Sequence, residues 1–176
     1  IRDILTISAG KRLTKADMQI GNRPFVGATD NFINNGITEW VNNANESIDQ
    51  NLLGVNYNGS VGEVFYHPYE CIFSDDVKRF HLKNSNDNKF VLLFMKTNIL
   101  QQKCKFLYAY KFNEKRMKAQ NIVLPIDSSG NPDYDYMEKY IKRLMLSKYS
   151  EYLEFKQHKR DYPLNTSKVL LVADVE

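Results

Sequence analysis

The chain has 176 residues, 43 % hydrophobic and 26 % charged, which is the composition of a folded domain and excludes wholesale disorder. Lys plus Arg is 24 and Asp plus Glu is 21, so the net charge of +3 permits nucleic-acid binding without arguing for it; the placement of charge matters more than its sum. Two cysteines, Cys71 and Cys104, are too few for a secreted disulfide scaffold, and no apolar run approaches the ~20 residues of a membrane span, so a cytoplasmic protein with reduced thiols is expected.

The chain begins at Ile1 and shows no signal-peptide pattern, which suggests a piece of a longer protein or a chain with its start missing. Residues 1–82 are rich in Gly, Asn and short apolar alternations and read as strands and loops. Residues 83–176 carry Lys, Met and Leu at helical spacing and read as mostly helix. Asn34-Asn35-Gly36 predicts a turn into a short strand at Ile37 to Val41. Residues 42–51 predict a polar loop. Gly54 to Tyr66 predicts a β-hairpin closed by a type I′ turn at Asn58-Gly59, where both positions need positive φ. Tyr69 to Ser74 predicts a strand, and Asp75 to Leu82 continues extended, with Val77, Arg79 and His81 opposed to Lys78, Phe80 and Leu82.

Phe90 to Lys103 starts with six residues that are apolar on every side, which fits a buried strand or a buried helix; the continuation favours helix. Asp127 to Gly130 predicts a turn. A long helix follows, from about Asp133 to Lys159, with Pro132 and the acids Asp133 and Asp135 suited to its first turn. Met137, Ile141, Leu144, Met145, Tyr149 and Tyr152 form its apolar stripe, while Lys139, Lys142 and Arg143 face away. Val169 to Val175 is apolar enough for a last strand. The chain thus divides into residues 1–131, β-rich with short helices; a packing helix over 132–160; and an unplaced tail, 161–176.

Three catalytic patterns are approached and missed. Gly54 to Gly59 has P-loop glycine spacing, but Ser60 and Val61 follow where a lysine and a hydroxyl residue are needed. Asn131-Pro132-Asp133-Tyr134 is similar to an amino-methyltransferase motif without its second proline, and a helix start explains it. Asp133 with Glu154 and Lys156 matches the loose pattern of a Mg²⁺-dependent nuclease. Both carboxylates fall on one predicted helix, however, ~30 Å apart at 1.5 Å per residue, beyond the reach of a shared metal. His67, His81 and His158 lack partners at metal-ligand spacing. No catalytic residue and no metal site is expected.

Residues suited to DNA are easier to find. From Lys103 to Lys118 there are six cations, including Lys115, Arg116 and Lys118, against the single acid Glu114. Phe106, Tyr108, Tyr110 and Phe112 alternate as on a strand, which would put lysines on the opposite face, where they can meet phosphates. A solvated strand face explains the same pattern. Lys11, Arg12 and Lys15 form a second cluster, and Lys78 with Arg79 a third. Near them lie Thr29, Asn31, Asn34, Asn35, Asn56, Asn58 and Ser60, whose amides and hydroxyls suit base edges. Asn-Gly turns in any β protein have the same composition.

GKRLTKADM (10–18), RPFVGATDNFINNGITEWV (23–41) and GVNYNGSVGEVFYHPYECIFSDDV (54–77) resemble the opening of target-recognition domains in type I and related DNA specificity subunits. KFLYAYKFNEKRMKAQNIVLPID (105–127) and GNPDYDYMEKYI (130–141) resemble the close of such domains, and the likeness covers about residues 3–157. It implies an α+β fold: an irregular, highly twisted, β-helix-like framework with a C-terminal helical segment. It implies sequence-specific recognition of double-stranded DNA by a non-catalytic module. The expected partners are methyltransferase subunits, a restriction or translocase subunit, and a second recognition domain or a second copy. S-adenosylmethionine and Mg²⁺ would belong to those partners, and no cofactor to this chain. A fused type II endonuclease–methyltransferase, or a nuclease in its own right, is the alternative. The loops at Lys11–Lys15, Thr29–Gly36 and Asn56–Ser60 are the expected DNA face, with Lys115, Arg116 and Lys118 beside them. Met137, Ile141, Leu144 and Met145 are expected to pack between domains or copies, or within this domain's own core.

Overall fold

The computed structural model describes residues 1–106 and 110–161, with side chains in the last helix described through residue 158. Strands β1 (Leu5–Ala9), β4 (Leu52–Asn56), β5 (Val64–His67) and β7 (Val77–Leu82) form one sheet in the order β1-β7-β4-β5, antiparallel throughout. Strands β2 (Ile20–Val26), β3 (Ile37–Val41) and β6 (Ile72–Phe73) form a second sheet, in which β2 is antiparallel to β3 and parallel to β6. The architecture is mixed, with strands first and helices after, as expected. The described strands pair as two open sheets.

Alternation along the strands separates the cores. Leu53, Val55, Phe80 and Leu82 join Val91, Leu92, Met95 and Ile99 in the main cluster. Their neighbours Leu52 and Val77 join Val26, Cys71 and Phe73 in another. Each such side chain contributes about 1.5–3 kcal/mol when fully buried. The sequence leaves Phe90 to Lys103 open between strand and helix; it folds as helix α1 (Lys89–Leu100). The Asn88 side chain accepts from the N–H groups of Phe90 and Val91, satisfying donors that would otherwise be orphaned at the helix start.

Three expectations need correction. The β4–β5 ladder ends at the Val55–Val64 pair, so residues 57–63 form a long loop and no two-residue turn. Gly59 has φ of 60°, but Asn58 is absent from the positive-φ residues that a type I′ turn requires at both positions. The loop is instead held from outside: Tyr57 N–H donates to Asp76 O at 3.1 Å and Ser60 N–H to Ala28 O at 3.2 Å. The alternating aromatics of 103–118 do not lie on a strand among the described residues. A 3₁₀ turn at Lys103–Lys105 and helix α2 (Glu114–Ala119) stand there, the latter capped by Asn113, whose side chain accepts from Arg116 N–H at 3.0 Å. Phe106 and Phe112 both enter the main core and stack at 4.1 Å, whereas strand alternation would have been only one way to bury them; Tyr108 lies outside the described residues. The strand expected over Tyr69 to Ser74 shrinks to β6, preceded by a bridge from Cys71 to Asp49.

Helix α3 (Tyr134–Asp161) begins where Asp133 Oδ1 accepts Tyr136 N–H at 2.8 Å. The chain divides into two compact units, Ile1–Glu138 and the remainder from Lys139. Met137, in the first turn, is fully buried in the first unit's core. In the second, Ile141 is buried while Leu144 and Met145 are 43 % and 44 % exposed, and Tyr149, Tyr152, Leu153 and Phe155 are exposed too. The stripe is therefore divided. The expected strand at Val169 to Val175 lies outside the described residues.

Candidate nucleic-acid interface

Two polar loops meet on the first unit. The turn at 30–36 joins β2 to β3, with Asn35 at φ 51° and Gly36 at φ 76°. Asn35 is half-buried and acts as a clamp: its amide nitrogen donates to Tyr66 O at 2.7 Å and to the Tyr69 hydroxyl at 3.0 Å, and lies 3.4 Å from His67 Nδ1. His67 is fully buried, and burial, aided by the Lys96 charge, pushes its pKa down to about 3, so the ring is neutral. With Nδ1 turned to the Asn35 amide as acceptor, the ring proton sits on Nε2, which has no hydrogen-bond partner among the described residues. Asn56, buried at the end of β4, donates to Thr29 O at 2.9 Å and so joins the second loop to the first. Gly59 comes so close that a Cβ there would lie 2.4 Å from Ala28 O.

Of the base-reading candidates, Asn31 and Asn34 are exposed, while Thr29, Asn58 and Ser60 are half-exposed. Asn58 donates to Asp76 Oδ1 at 2.9 Å. Asn35 is committed to holding the turn. By residue type these asparagines suit turns more than bases; in the structure Asn35, Asn56 and Asn58 tie the loops through their side-chain amides, and Asn31 and Asn34 are exposed.

The cations also divide. Lys78 Nζ lies 4.9 Å from the centre of the Tyr57 ring, beside the second loop, and is without an ion-pair partner among the described residues. Its field reaches α2, where Glu114, hydrogen-bonded to Lys118, is held below the usual carboxylate range chiefly by that bond. Lys115 is exposed on the same helix. Arg116 lies 3.5 Å from the Tyr110 ring centre and donates to Lys111 O at 2.6 Å. With Lys105, Phe106, Tyr110, Ala119 and Gln120 it lines an open depression of about 330 Å³. The cations of the N-terminal cluster each face a carboxylate: Lys11 with Glu46, Arg12 with Asp75 and Lys15 with Glu39. These pairs are largely exposed, and exposed pairs hold weakly enough to exchange for a phosphate.

Arg79 does something the sequence does not reveal. Its side chain is 12 % exposed, Nη1 lies 2.8 Å from Asp49 Oδ2, and Nη2 donates to Ala9 O at 2.9 Å. The same Asp49 oxygen lies 3.1 Å from His81 Nε2, whose Nδ1 lies 2.7 Å from Asp87 Oδ2. Burial acts to lower the His81 pKa, but hydrogen bonds and charge from Asp87 and Asp49 outweigh it and raise the pKa above its ordinary value. Asp87 also accepts Leu82 N–H at 2.7 Å. This network fastens β7 to the 42–51 loop and to the start of α1. The strand alternation of Arg79 and His81 is legible in the sequence; their partner Asp49, thirty positions away in a polar loop, is not.

Asp133 caps α3, and Glu154 stands 21 positions further along the same helix (154 − 133). Among the described residues no three His, Cys, Asp or Glu side chains are grouped as for a metal ion. Among the same residues no helix is long and apolar enough to cross a membrane.

Residues 1–154 match the family model described as the type I restriction modification DNA specificity domain. The chain is 61 % identical over 142 residues to the specificity subunit S.BcgI of the type II restriction enzyme BgcI from Heyndrickxia coagulans; the match covers 81 % of this chain and 41 % of that protein. The chain thus spans about two-fifths of the length of this curated relative. The fold is similar to the HsdS subunit from Thermoanaerobacter tengcongensis, with a TM-score of 0.58 at 14 % identity, covering 96 % of this chain and 40 % of that one. It is also similar to the type I restriction–modification S subunit from M. genitalium, with a TM-score of 0.52 at 18 % identity, covering 90 % of this chain and 42 % of that one.

Proposed function

This chain belongs to the type I restriction modification DNA specificity domain family, and on that footing we propose that it reads one part of a double-stranded DNA target on behalf of separate catalytic subunits. The observation that carries the reading is the pair of loops, 28–36 and 57–63, cross-tied by Asn56 and Ser60 and stiffened by the Asn35 clamp. Base readout needs polar groups held in place before the duplex arrives, because ordering them on binding would consume affinity. Asn31, Asn34, Asn58 and Ser60 supply such groups. Lys78, Lys115, Arg116 and Lys118 are suited to the phosphates alongside, and Lys11, Arg12 and Lys15 would join them by exchanging their carboxylates. Arg79 belongs to the framework and not to this surface.

Chemistry would come from partners: methyltransferase subunits using S-adenosylmethionine, and a restriction or translocase subunit using Mg²⁺. The similarity to a protein described as a specificity subunit favours a separate subunit over a fused endonuclease–methyltransferase. The Mg²⁺-nuclease alternative gains no support, since Asp133 is occupied in capping α3. The exposed Leu144, Met145, Tyr149 and Tyr152 suit packing against a second recognition domain or a second copy. The test is binding of the full specificity subunit, with its methyltransferase, to duplex DNA over a salt series. Binding should weaken steeply with salt, and Lys78→Ala and Lys115→Ala should each reduce the log–log slope by about one. Salt-independent binding, or none, would remove the reading.

A further inference from the structure

Phe32 and Ile33 are 80 % and 82 % exposed at the tip of the 30–36 turn. The backbone beneath them is closely bonded. Gly36 N–H donates to Asn31 O at 3.0 Å, Ile37 N–H to Asn34 O at 2.9 Å, and Asn34 N–H to the Asn31 side chain at 3.3 Å. The Asn35 clamp fixes the base of the turn to β5 and to Tyr69. Two large apolar side chains are thus held outward by a tied turn, where a single polar residue would have served solubility.

The surrounding chemistry indicates what they meet. Residues 27–37 read GATDNFINNGI and contain no Lys or Arg, so this turn offers nothing to a phosphate. Its side chains are amides, a hydroxyl, one carboxylate and the two apolar tips. Base edges in the major groove present the matching set: adenine takes an amide, the cytosine amino group takes a carboxylate, and the thymine C5 methyl takes an apolar contact. The neighbouring cation contacts lie on other elements. Lys96 Nζ lies 5.9 Å from the centre of the Phe65 ring, and that ring would meet a Cβ on Gly36 at 3.0 Å. Lys78 lies beside the partner loop, 4.9 Å from the centre of the Tyr57 ring. A cation-free tip suits the groove floor, where base edges and methyl groups lie and the phosphates do not.

We infer that Phe32 and Ile33 form an apolar reading tip that enters the major groove and recognises thymine by its methyl group. This rests on the DNA-reading function proposed above and deepens it, assigning one or two thymine–adenine pairs of the target to these two residues. The experiment maps the methylated motif that the full specificity subunit and its methyltransferase write on genomic DNA, for the wild type, Phe32→Ala, Ile33→Ala and the double variant. The variants should write the same motif relaxed at one or two thymine positions. Uracil in place of thymine at those positions removes only the methyl, and should weaken wild-type binding about fourfold per methyl while leaving the double variant indifferent. Wild-type-like binding to non-specific duplex at low salt verifies that the variants are folded. Variants that keep the motif and the uracil sensitivity overturn the inference and leave the DNA-reading function standing. A wild-type complex that methylates without any motif overturns both.

Discussion

Replacing Arg79 separates the framework role from a DNA role. Its guanidinium is 12 % exposed and joins two elements at once, Asp49 in the 42–51 loop and the Ala9 carbonyl at the end of β1. Arg79→Ala leaves Asp49, 23 % exposed, with the His81 ring as its neighbour at 3.1 Å. Removing one partner of a well-buried pair costs 3–5 kcal/mol; His81 and the residual solvent access reduce that here, to about 3 kcal/mol. At roughly 2–4 °C per kcal/mol for a chain of this size, Tm should fall by about 6–12 °C. Arg79→Lys keeps the charge but not the fork, so it can serve Asp49 or Ala9 but not both, and should lose roughly half as much. Calorimetry or thermal circular dichroism measures both. At a temperature where the variant stays folded, the salt slope of DNA binding should match the wild type. An unchanged Tm together with a slope reduced by about one would refute the reasoning, because Arg79 would then be a phosphate ligand.

Four further outcomes follow from the same geometry. The raised pKa of His81 means its stabilising contribution is fully present below its ordinary value near 6.5 and is lost as pH rises through the folded value; urea midpoints should decline across that window, and His81→Gln should flatten the decline. His67 acts in the opposite sense: depressed from 6.5 to about 3, it destabilises the fold as pH drops below 6.5, by about 4 kcal/mol at pH 3, and acid-unfolding curves of His67→Phe should lack that component. Gly54→Ala would put a Cβ 2.8 Å from His67 Nε2 and 3.3 Å from Phe73 Cε1, so chemical denaturation should show a loss of about 1–3 kcal/mol. Gly59→Ala, with φ at +60° and Ala28 O 2.4 Å away, should shift the two loops apart and weaken specific DNA binding more than non-specific binding.

Where local physics decides, the sequence was a sufficient guide. The strand at Ile37–Val41, the turn before it, the strand through Val77–Leu82, and the long helix capped at Asp133 all follow from turn chemistry, alternation and helical spacing. The DNA-specificity resemblance was legible too, because it rests on several ordered motifs rather than on one. Asn58-Gly59 was misread for a physical reason: the pair is a good hairpin turn in isolation, but Asp76 and Ala28 reach in from distant parts of the chain and hold the loop open. The aromatics of 103–118 were misread because alternation is shared by a strand and by two buried rings, Phe106 and Phe112, that stack ahead of a capped helix.

What the sequence determined by itself is the division into a strand-rich first part and a helical second part, and the supply of amides and cations. Only the tertiary structure decided how those side chains are employed. Arg79 and Asn35 are polar residues in basic or loop stretches of the sequence, and in the fold Arg79 bonds Asp49 and Ala9 while Asn35 bonds Tyr66 and Tyr69; Asn31, Asn34, Phe32 and Ile33 are exposed. The reason is that a polar side chain finds its partner by proximity in space, and contacts spanning thirty or more positions leave no periodic trace along the chain.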